Sequence, residues 1–262
     1  MRDVQPVETR PARMGALAVL PVFLDLKGRR VVVAGSGDAL VWKAELVAAA
    51  GAHVEVFTAA PSADLEALRG SPPAGRIGII ARGWCREDLA GAWLAVGALT
   101  GDEAAAFAAA ARAHGVPVNI VDRPDVSTFA FGTIVNRSPV VIGISTAGAA
   151  PVLGQSIRAK IEALLHPSLG AWAAAAQRLR GQINARLAMG PARRDAWRRF
   201  ADRALAARSA PTERDLDAAA SLSLAPVAGG SVALVGAGPG DPALLTLKAL
   251  RETFDANFFG LV

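Results

Sequence analysis

The sequence predicts an α/β protein with a doubly wound parallel sheet, followed by a small hairpin and a helical region. Continuously apolar runs at residues 31–33 and 77–80 are typical of strands that are covered on both faces. Alanine-rich segments with helical character alternate with these runs, which is the rhythm of parallel strands joined by helices. A hydrophobic content of 52% and a charged content of 19% over 262 residues exclude a disordered chain.

The first part of the chain contains the elements of the sheet. Five strands are predicted, at residues 30–34, 53–58, 76–81, 93–99 and 117–121. Helices are predicted between them at residues 39–50, 62–69 and 102–114. The third helix has clear ends, because Asp102 and Glu103 occupy its first turn and Gly115 follows it.

The middle of the chain has a different pattern. Residues 131–145 predict two strands around the turn at residues 136–139, which indicates a hairpin and not another crossover unit. Residues 151–207 are predicted to be helical, with breaks at His166-Pro167 and Gly190-Pro191. The apolar residues of the first helical segment require a buried face, against the first domain or against a second copy of the chain.

Composition limits the possible partners and locations. A single cysteine, Cys85, excludes a disulfide framework and a multi-cysteine metal site, and we expect a cytoplasmic protein without a protein-bound metal. The apolar run at residues 15–24 is far shorter than the roughly 20 residues that span a bilayer, so no membrane segment is expected. A net charge of +5 favours anionic partners.

The arginines of residues 178–208 allow two interpretations. The first is a solvated helix face, which we favour. The second is a nucleic-acid surface, but this segment lacks an aromatic stacking platform and a recognition-helix motif. We therefore expect no nucleic-acid partner.

A glycine loop at residues 35–40 follows the first strand and opens the first helix. Gly35 permits a tight turn, and Gly37 lets the backbone approach a pyrophosphate at the helix N-terminus. This pattern predicts a Rossmann-like dinucleotide site; a tight turn without a ligand is the alternative. Leu40 stands where the fingerprint has glycine or alanine, and its larger side chain is expected to push helix and strand apart. Glu55 has the spacing of a ribose-binding acid but lies inside a strand.

A carboxylate follows the fifth strand. Pro124 ends this strand and places Asp122 just past its carboxyl end, where ligands gather in open parallel sheets. Asp122 can act there as a general base or can cap the following loop. Its position alone favours the capping role.

Four motifs in order resemble the amino-terminal half of siroheme synthase. They are residues 20–38, Lys43, residues 119–122 and residues 138–153. That half is the precorrin-2 dehydrogenase and sirohydrochlorin ferrochelatase module, and the resemblance covers about residues 19–222. Before Lys43 the sequence departs from the family, with Leu-Val-Trp in place of the usual Ala-x-Arg.

The resemblance implies a multifunctional oxidoreductase and lyase of sirohaem biosynthesis. NAD accepts a hydride from precorrin-2, and ferrous iron is then inserted as a substrate into the sirohydrochlorin formed. The family's proposed catalytic aspartate falls on Asp122, which reverses the preference for capping. Implied cofactor contacts are Gly35, Ser36, Gly37, Asp38, Ala39, Thr58, Ala59 and Ala60. Implied tetrapyrrole contacts are Asn119, Arg137, Ser145 and Thr146. The alternative function is a non-catalytic protein that binds NAD or the tetrapyrrole.

The resemblance also predicts the domain organisation. Residues 235–248 resemble the start of the uroporphyrinogen-III C-methyltransferase module; the sequence departs from that pattern after Glu252, so we expect no methyltransferase activity. A homodimer is expected through the helical region. The predicted segments are a loose leader (1–18), a dinucleotide-binding domain (19–130), the hairpin segment (131–150), the helical dimerisation region (151–215), a linker (216–230) and a methyltransferase remnant (231–262).

Overall fold

The structure, a computed structural model, describes residues 15–222. These residues form two compact units. The first comprises residues 15–136 and 141–164, and the second comprises residues 137–140 and 165–222. Among residues 15–222, none of the helices has the length and apolar character needed to span a membrane.

The first unit is built on a sheet of five parallel strands. They are β1 (Arg30–Gly35), β2 (His53–Phe57), β3 (Arg76–Ile80), β4 (Leu94–Ala98) and β5 (Val118–Ile120). Their order across the sheet is β3-β2-β1-β4-β5, and every neighbouring pair is parallel. The carboxyl ends of the strands therefore share one edge, and the winding reverses between β1 and β4. The predicted doubly wound α/β fold is confirmed.

Helices cover both faces of this sheet. They are α1 (Gly37–Ala49), α2 (Ala63–Gly70) and α3 (Gly101–Ala113), with a short 3₁₀ helix at Arg86–Leu89. Val31 and Val33 of β1 belong to the core cluster that includes α1, whereas Val32 belongs to the cluster that includes α3. All three valines are fully buried, which explains why the β1 sequence is apolar without alternation.

The predicted hairpin forms a separate two-stranded sheet, β6 (Thr133–Arg137) and β7 (Val140–Ile144). Helix α4 (Pro151–Leu164) follows it. Gly154 is buried beside the hairpin, because a Cβ there would lie 3.3 Å from Oγ1 of Thr133. Much of the remaining apolar surface of α4 is uncovered among the described residues, and Val152 is 79% exposed.

The second unit is a small helical assembly. Its helices are α5 (Leu169–Arg186), α6 (Pro191–Ala206) and α7 (Glu213–Leu222), so both predicted breaks are confirmed. Trp172 of α5 is the largest residue of its core and meets Phe200 of α6 edge to face, with ring centroids 5.5 Å apart. The Trp172 indole N–H donates to the carbonyl of Ser209 at 2.9 Å, which satisfies its buried polar atom.

Helix α7 occupies the first part of the segment that was predicted to be a linker. The linker was expected from residue 216, and over residues 216–222 this prediction is wrong. Thr212 and Asp215 close the first turn reciprocally: the Thr212 amide donates to the Asp215 carboxylate, and the Asp215 amide donates to Thr212 Oγ1. Asp215 also pairs with Arg203 of α6, and Ala219 is buried in the shared core. The rest of the linker, residues 1–14 of the leader and the methyltransferase-like segment lie outside the described residues.

Candidate functional site

The glycine loop lies at the carboxyl end of β1, beside β4. Gly35 has a φ of +129°, and a Cβ on it would lie 2.0 Å from the carbonyl oxygen of Ala98 in β4. The amide of Ser36 reaches the same oxygen at 3.4 Å. Position 35 therefore needs glycine both for its backbone angle and for the close passage over the neighbouring strand.

The next glycine faces open space. Gly37 opens α1 with a φ of +77°, and a Cβ there would meet no heavy atom within 4 Å. Ser36 is the N-cap of α1, but its side chain makes no capping hydrogen bond. Uncapped amides at the start of a helix are suited to bind a phosphate, and the open space at Gly37 fits a pyrophosphate. Asp38 and Ala39 follow Gly37 in the first turn of α1.

Leu40 does not keep the helix from packing on the sheet. It is 2% exposed and lies in one core cluster with Val31 and Ala44. The sequence predicted that Leu40 would push α1 away from the sheet. Instead, the Leu40 side chain is part of the core between them.

The end of β2 borders the same edge. Thr58 is buried and its amide donates to the carbonyl of Ile80 at 3.2 Å, while Ala59 and Ala60 are exposed. Glu55 lies inside β2, as the sequence predicts, and pairs there with Arg30 at 2.6 Å.

Asp122 follows β5 at this edge with its side chain exposed. Its φ is +58°, a left-handed conformation that aspartate tolerates better than most residues. Ser127 stabilises the turn after β5, since its hydroxyl accepts from the Ile120 amide at 2.9 Å and donates to the Arg123 carbonyl at 2.8 Å. Within residues 15–222 the Asp122 carboxylate takes part in no hydrogen bond. The capping role is thus filled by Ser127, and the Asp122 carboxylate is open to solvent.

The sequence prediction missed a role for Lys43. This lysine is only 7% exposed and lies on the buried stripe of α1 with Leu40, Ala44 and Val47. Burial lowers the pKa of the Lys43 ammonium, and the negative charge of Asp122 acts in the opposite direction. A lysine three residues after Leu40, inside an apolar stripe, is the signal that could have revealed it.

Asn119 has a structural partner in this unit. It is 9% exposed, and its Nδ2 donates to the carbonyl of Phe129 at 2.9 Å. This bond fixes the segment after the Asp122 turn against β5. Contact between Asn119 and a substrate stays a prediction.

The other predicted substrate contacts separate into two groups. Ser145 belongs to the first unit, and its Oγ accepts from the Ala147 amide at 3.1 Å in a tight turn that also includes Thr146. Arg137 belongs to the second unit, where its Nε donates to the carbonyl of Leu165 at 2.9 Å. No group of three or more histidine, cysteine, aspartate or glutamate side chains suited to hold a metal ion occurs in residues 15–222.

Comparison with known proteins shows what the chain is similar to. An NAD(P)-binding family matches residues 22–133, and the sirohaem synthase dimerisation region matches residues 168–222. The siroheme synthase of Stutzerimonas stutzeri is 44% identical over 239 residues, which are 88% of this chain and 50% of that protein. The siroheme synthase of Methylococcus capsulatus is 41% identical over 249 residues, 91% of this chain and 51% of that protein. This chain is a homologue of the amino-terminal part of siroheme synthase.

The chain spans about half the length of the siroheme synthases that it matches. A solved structure of a precorrin-2 dehydrogenase, SirC, shares its fold, with a TM-score of 0.57 and 18% identity over 79% of this chain and 99% of that one. The sirohaem synthase dimerisation region coincides with helices α5, α6 and α7 and includes the residues mistaken for a linker. Helix α7 thus lies within the matched region.

Proposed function

We propose that this siroheme synthase homologue oxidises precorrin-2 to sirohydrochlorin with NAD and then inserts ferrous iron into that product to give sirohaem. The observation that carries the proposal is the position of Asp122. Its exposed carboxylate, without a hydrogen bond in the described part of the chain, shares the carboxyl edge of the sheet with the glycine loop. The homology to siroheme synthase supports this substrate class.

NAD would be held by the loop at residues 35–39 and by the end of β2 at residues 58–60. The uncapped amides of α1 and the open space at Gly37 suit its pyrophosphate. When bound, the nicotinamide supplies the hydride acceptor for the oxidation. The match to an NAD(P)-binding family supports the nucleotide class, and the preference for NAD over NADP belongs to the proposal.

Asp122 would serve both reactions as the proton acceptor. Oxidation of precorrin-2 removes a hydride and a proton, and iron insertion displaces two protons from pyrrolic nitrogens. A carboxylate that is open to solvent can accept each proton and pass it to water. Iron is a substrate in this scheme, and it needs no resident site on the protein.

We further propose that the chain works as a homodimer in the cytoplasm. The match to a dimerisation region over residues 168–222 supports the dimer. Its mass in solution, measured by light scattering after size-exclusion chromatography, should be twice the chain mass of 26.9 kDa. A mass equal to that of one chain would contradict the dimer.

The deciding experiment is a staged incubation of the protein with precorrin-2, NAD and ferrous iron. The absorption spectrum should change to that of sirohydrochlorin only after NAD is present, with NADH formed in equal amount. Addition of ferrous iron should then give the sirohaem spectrum faster than without protein. A chain that binds NAD but leaves precorrin-2 unchanged would be the non-catalytic binding protein instead.

A further inference from the structure

Lys43 carries a buried ammonium group that has no hydrogen-bond acceptor. Of the lysines within residues 15–222 it is the buried one, with 7% of its surface exposed. Its Nζ forms neither a hydrogen bond nor an ion pair within those residues. In the same part of the chain, no side-chain nitrogen or oxygen is both sealed from solvent and without a hydrogen bond. The Lys43 nitrogen must therefore keep an opening to the outside.

Two aromatic rings hold this ammonium group. Nζ lies 4.3 Å from the ring centroid of Trp42 and 4.2 Å from that of Phe131. Ring faces attract a cation, but they do not replace acceptors for its three N–H groups. A buried charge is ordinarily both paired and hydrogen-bonded. The surroundings of Lys43 thus suit a cation whose hydrogen-bond acceptor is supplied by an anionic ligand.

The two rings also fix where the ammonium group lies. Trp42 belongs to α1, whereas Phe131 belongs to the segment that leaves β5. Phe129 of that segment packs edge to face on Phe131, with ring centroids 5.2 Å apart, and its carbonyl accepts the hydrogen bond from Asn119 of β5. The ammonium group is therefore held between the helix that begins at the glycine loop and a segment that is bonded to the fifth strand.

Trp42 offers an aromatic surface beside the same cation. Its side chain is 55% exposed, although its ring contacts the neighbouring ammonium group. An exposed indole can pack against a flat ring system, and an ammonium group binds a carboxylate through charge-assisted hydrogen bonds. The pair is suited to a ligand that carries carboxylates on a large ring.

The proposed nucleotide has a separate place on this helix. Gly37, where its pyrophosphate is proposed to bind, precedes Lys43 by six residues, which is about 9 Å along the axis of α1. The uncapped amides lie at that end of the helix, whereas the Lys43 ammonium contacts Phe131. The second proposed ligand, the tetrapyrrole, carries carboxylates around its macrocycle and fits both the charge and the ring.

We propose that Lys43 and Trp42 form a binding site for the tetrapyrrole, in which the ammonium group donates to a carboxylate of the substrate and the exposed indole packs against its macrocycle. This inference rests on the proposed function, which supplies the identity of the ligand. Lys43 binds the substrate and takes part in no proton transfer. Burial lowers the pKa of the ammonium group, and a bound carboxylate would stabilise its charged form.

The direct test measures the dissociation constant of sirohydrochlorin by anaerobic absorption titration. In Lys43→Met it should increase about 10- to 100-fold, because a charge-assisted hydrogen bond is lost, while NAD affinity stays constant. Lys27→Met is the matched control, since Lys27 is exposed in the turn before β1, and it should bind sirohydrochlorin as the wild type does. An unchanged dissociation constant in Lys43→Met, or a loss of NAD affinity in its place, would overturn the proposal.

Trp42→Leu tests the aromatic part of the site. The dissociation constant of sirohydrochlorin should increase about 3- to 10-fold, because a ring contact is lost. Trp93→Leu is the matched control: Trp93 is 44% exposed directly before β4, and its ring also contacts a cation, with Cζ of Arg29 at 4.4 Å from the centroid. Equal affinities of the two variants would overturn the role of the indole.

Labelling of the wild-type chain covers the case in which Lys43→Met does not fold. Because Nζ keeps an opening to solvent, acetic anhydride should acetylate Lys43, and mass spectrometry can follow each lysine. Saturating sirohydrochlorin should abolish most of the labelling of Lys43 and leave that of Lys27 unchanged. A Lys43 that reacts equally with and without sirohydrochlorin, or that does not react at all, would overturn the proposal.

Enzyme assays separate this inference from the proposed function. In Lys43→Met the KM for precorrin-2 should rise more than kcat falls, which is the pattern of lost substrate binding. If Lys43→Met loses affinity for sirohydrochlorin but the wild type does not oxidise precorrin-2, the proposed function fails and the binding site stands. If the wild type oxidises precorrin-2 and Lys43→Met keeps both the dissociation constant and KM, the binding site fails.

Discussion

Gly35 lies so close to Ala98 that a Cβ on residue 35 would be only 2.0 Å from the carbonyl oxygen of Ala98. This contact joins the ends of β1 and β4, the two strands between which the winding of the sheet reverses. The proposed cofactor loop is therefore built directly on the junction of the two halves of the sheet.

We expect Gly35→Ala to lower the free energy of unfolding by at least about 2 kcal/mol, because the methyl group must displace backbone and the residue keeps a positive φ. Gly91→Ala is the control, since its φ of +72° also strains an alanine but its Cβ would meet no heavy atom within 4 Å. Urea denaturation should show a loss of only about 1 kcal/mol for the control. Equal losses in both variants would show that the contact with Ala98 has no effect.

Gly37→Ala tests the phosphate cradle. Its Cβ would enter open space, so stability should fall only as much as in Gly91→Ala. The same Cβ would stand where the pyrophosphate is proposed to bind, and NAD affinity should fall at least ~10-fold, or about 1.4 kcal/mol. Isothermal titration calorimetry measures this difference. Unchanged affinity would show that the pyrophosphate of NAD does not bind at Gly37.

Asp122→Asn tests the proton acceptor. We expect the rate of precorrin-2 oxidation to fall by at least about 100-fold, because the amide cannot accept the proton. NAD affinity and melting temperature should stay as in the wild type, since the side chain is exposed. Asp125→Asn removes a carboxylate from the same turn and should keep the oxidation rate. Full activity of Asp122→Asn would assign the proton transfer to another group.

Acid should weaken the helical unit through Asp215. Hydrogen bonds from Thr212 lower the pKa of this carboxyl to about 2, and Arg203 contributes in the same direction. A lowered pKa in the folded state means that the stabilisation is present above the ordinary value of 3.8 and disappears as the pH falls toward 2. Asp215→Asn should therefore have a lower melting temperature than the wild type at pH 7. This difference in melting temperature should disappear between about pH 4 and pH 2.

The control for this titration is Asp202→Asn, whose exposed carboxylate lies on α6. Its melting temperature should follow that of the wild type throughout the pH range. If the melting temperatures of Asp215→Asn and the wild type differ by the same amount down to pH 2, the Asp215 charge contributes nothing to stability.

Residues with one dominant physical role were predictable from the sequence. The apolar β1 strand could lie only between two layers of helix, and Gly115 could only end α3, where its φ is +67°. Strand ends also placed Asp122 correctly, because Pro124 cannot continue a strand.

Residues whose role depends on distant partners were not predictable. Lys43 has a charge that ordinarily belongs at the surface, and its burial depends on Phe131, which is 88 positions away. The helix α7 is short and follows the turn-like segment Ser209-Ala-Pro-Thr212, so composition concealed the reciprocal bonds of Thr212 and Asp215. The partner of the Asn119 amide, the carbonyl of Phe129 ten positions away, was likewise not predictable.

The ion pair between Glu55 and Arg30 has a consequence for the choice of nucleotide. Glu55 is paired with Arg30 inside β2, and the residues that follow this strand, Thr58, Ala59 and Ala60, carry no negative charge. Nucleotides that bear an additional phosphate on the adenosine ribose would meet no electrostatic repulsion from these three side chains. Repulsion by the side chains of residues 58–60 therefore does not select the unphosphorylated dinucleotide at this strand end.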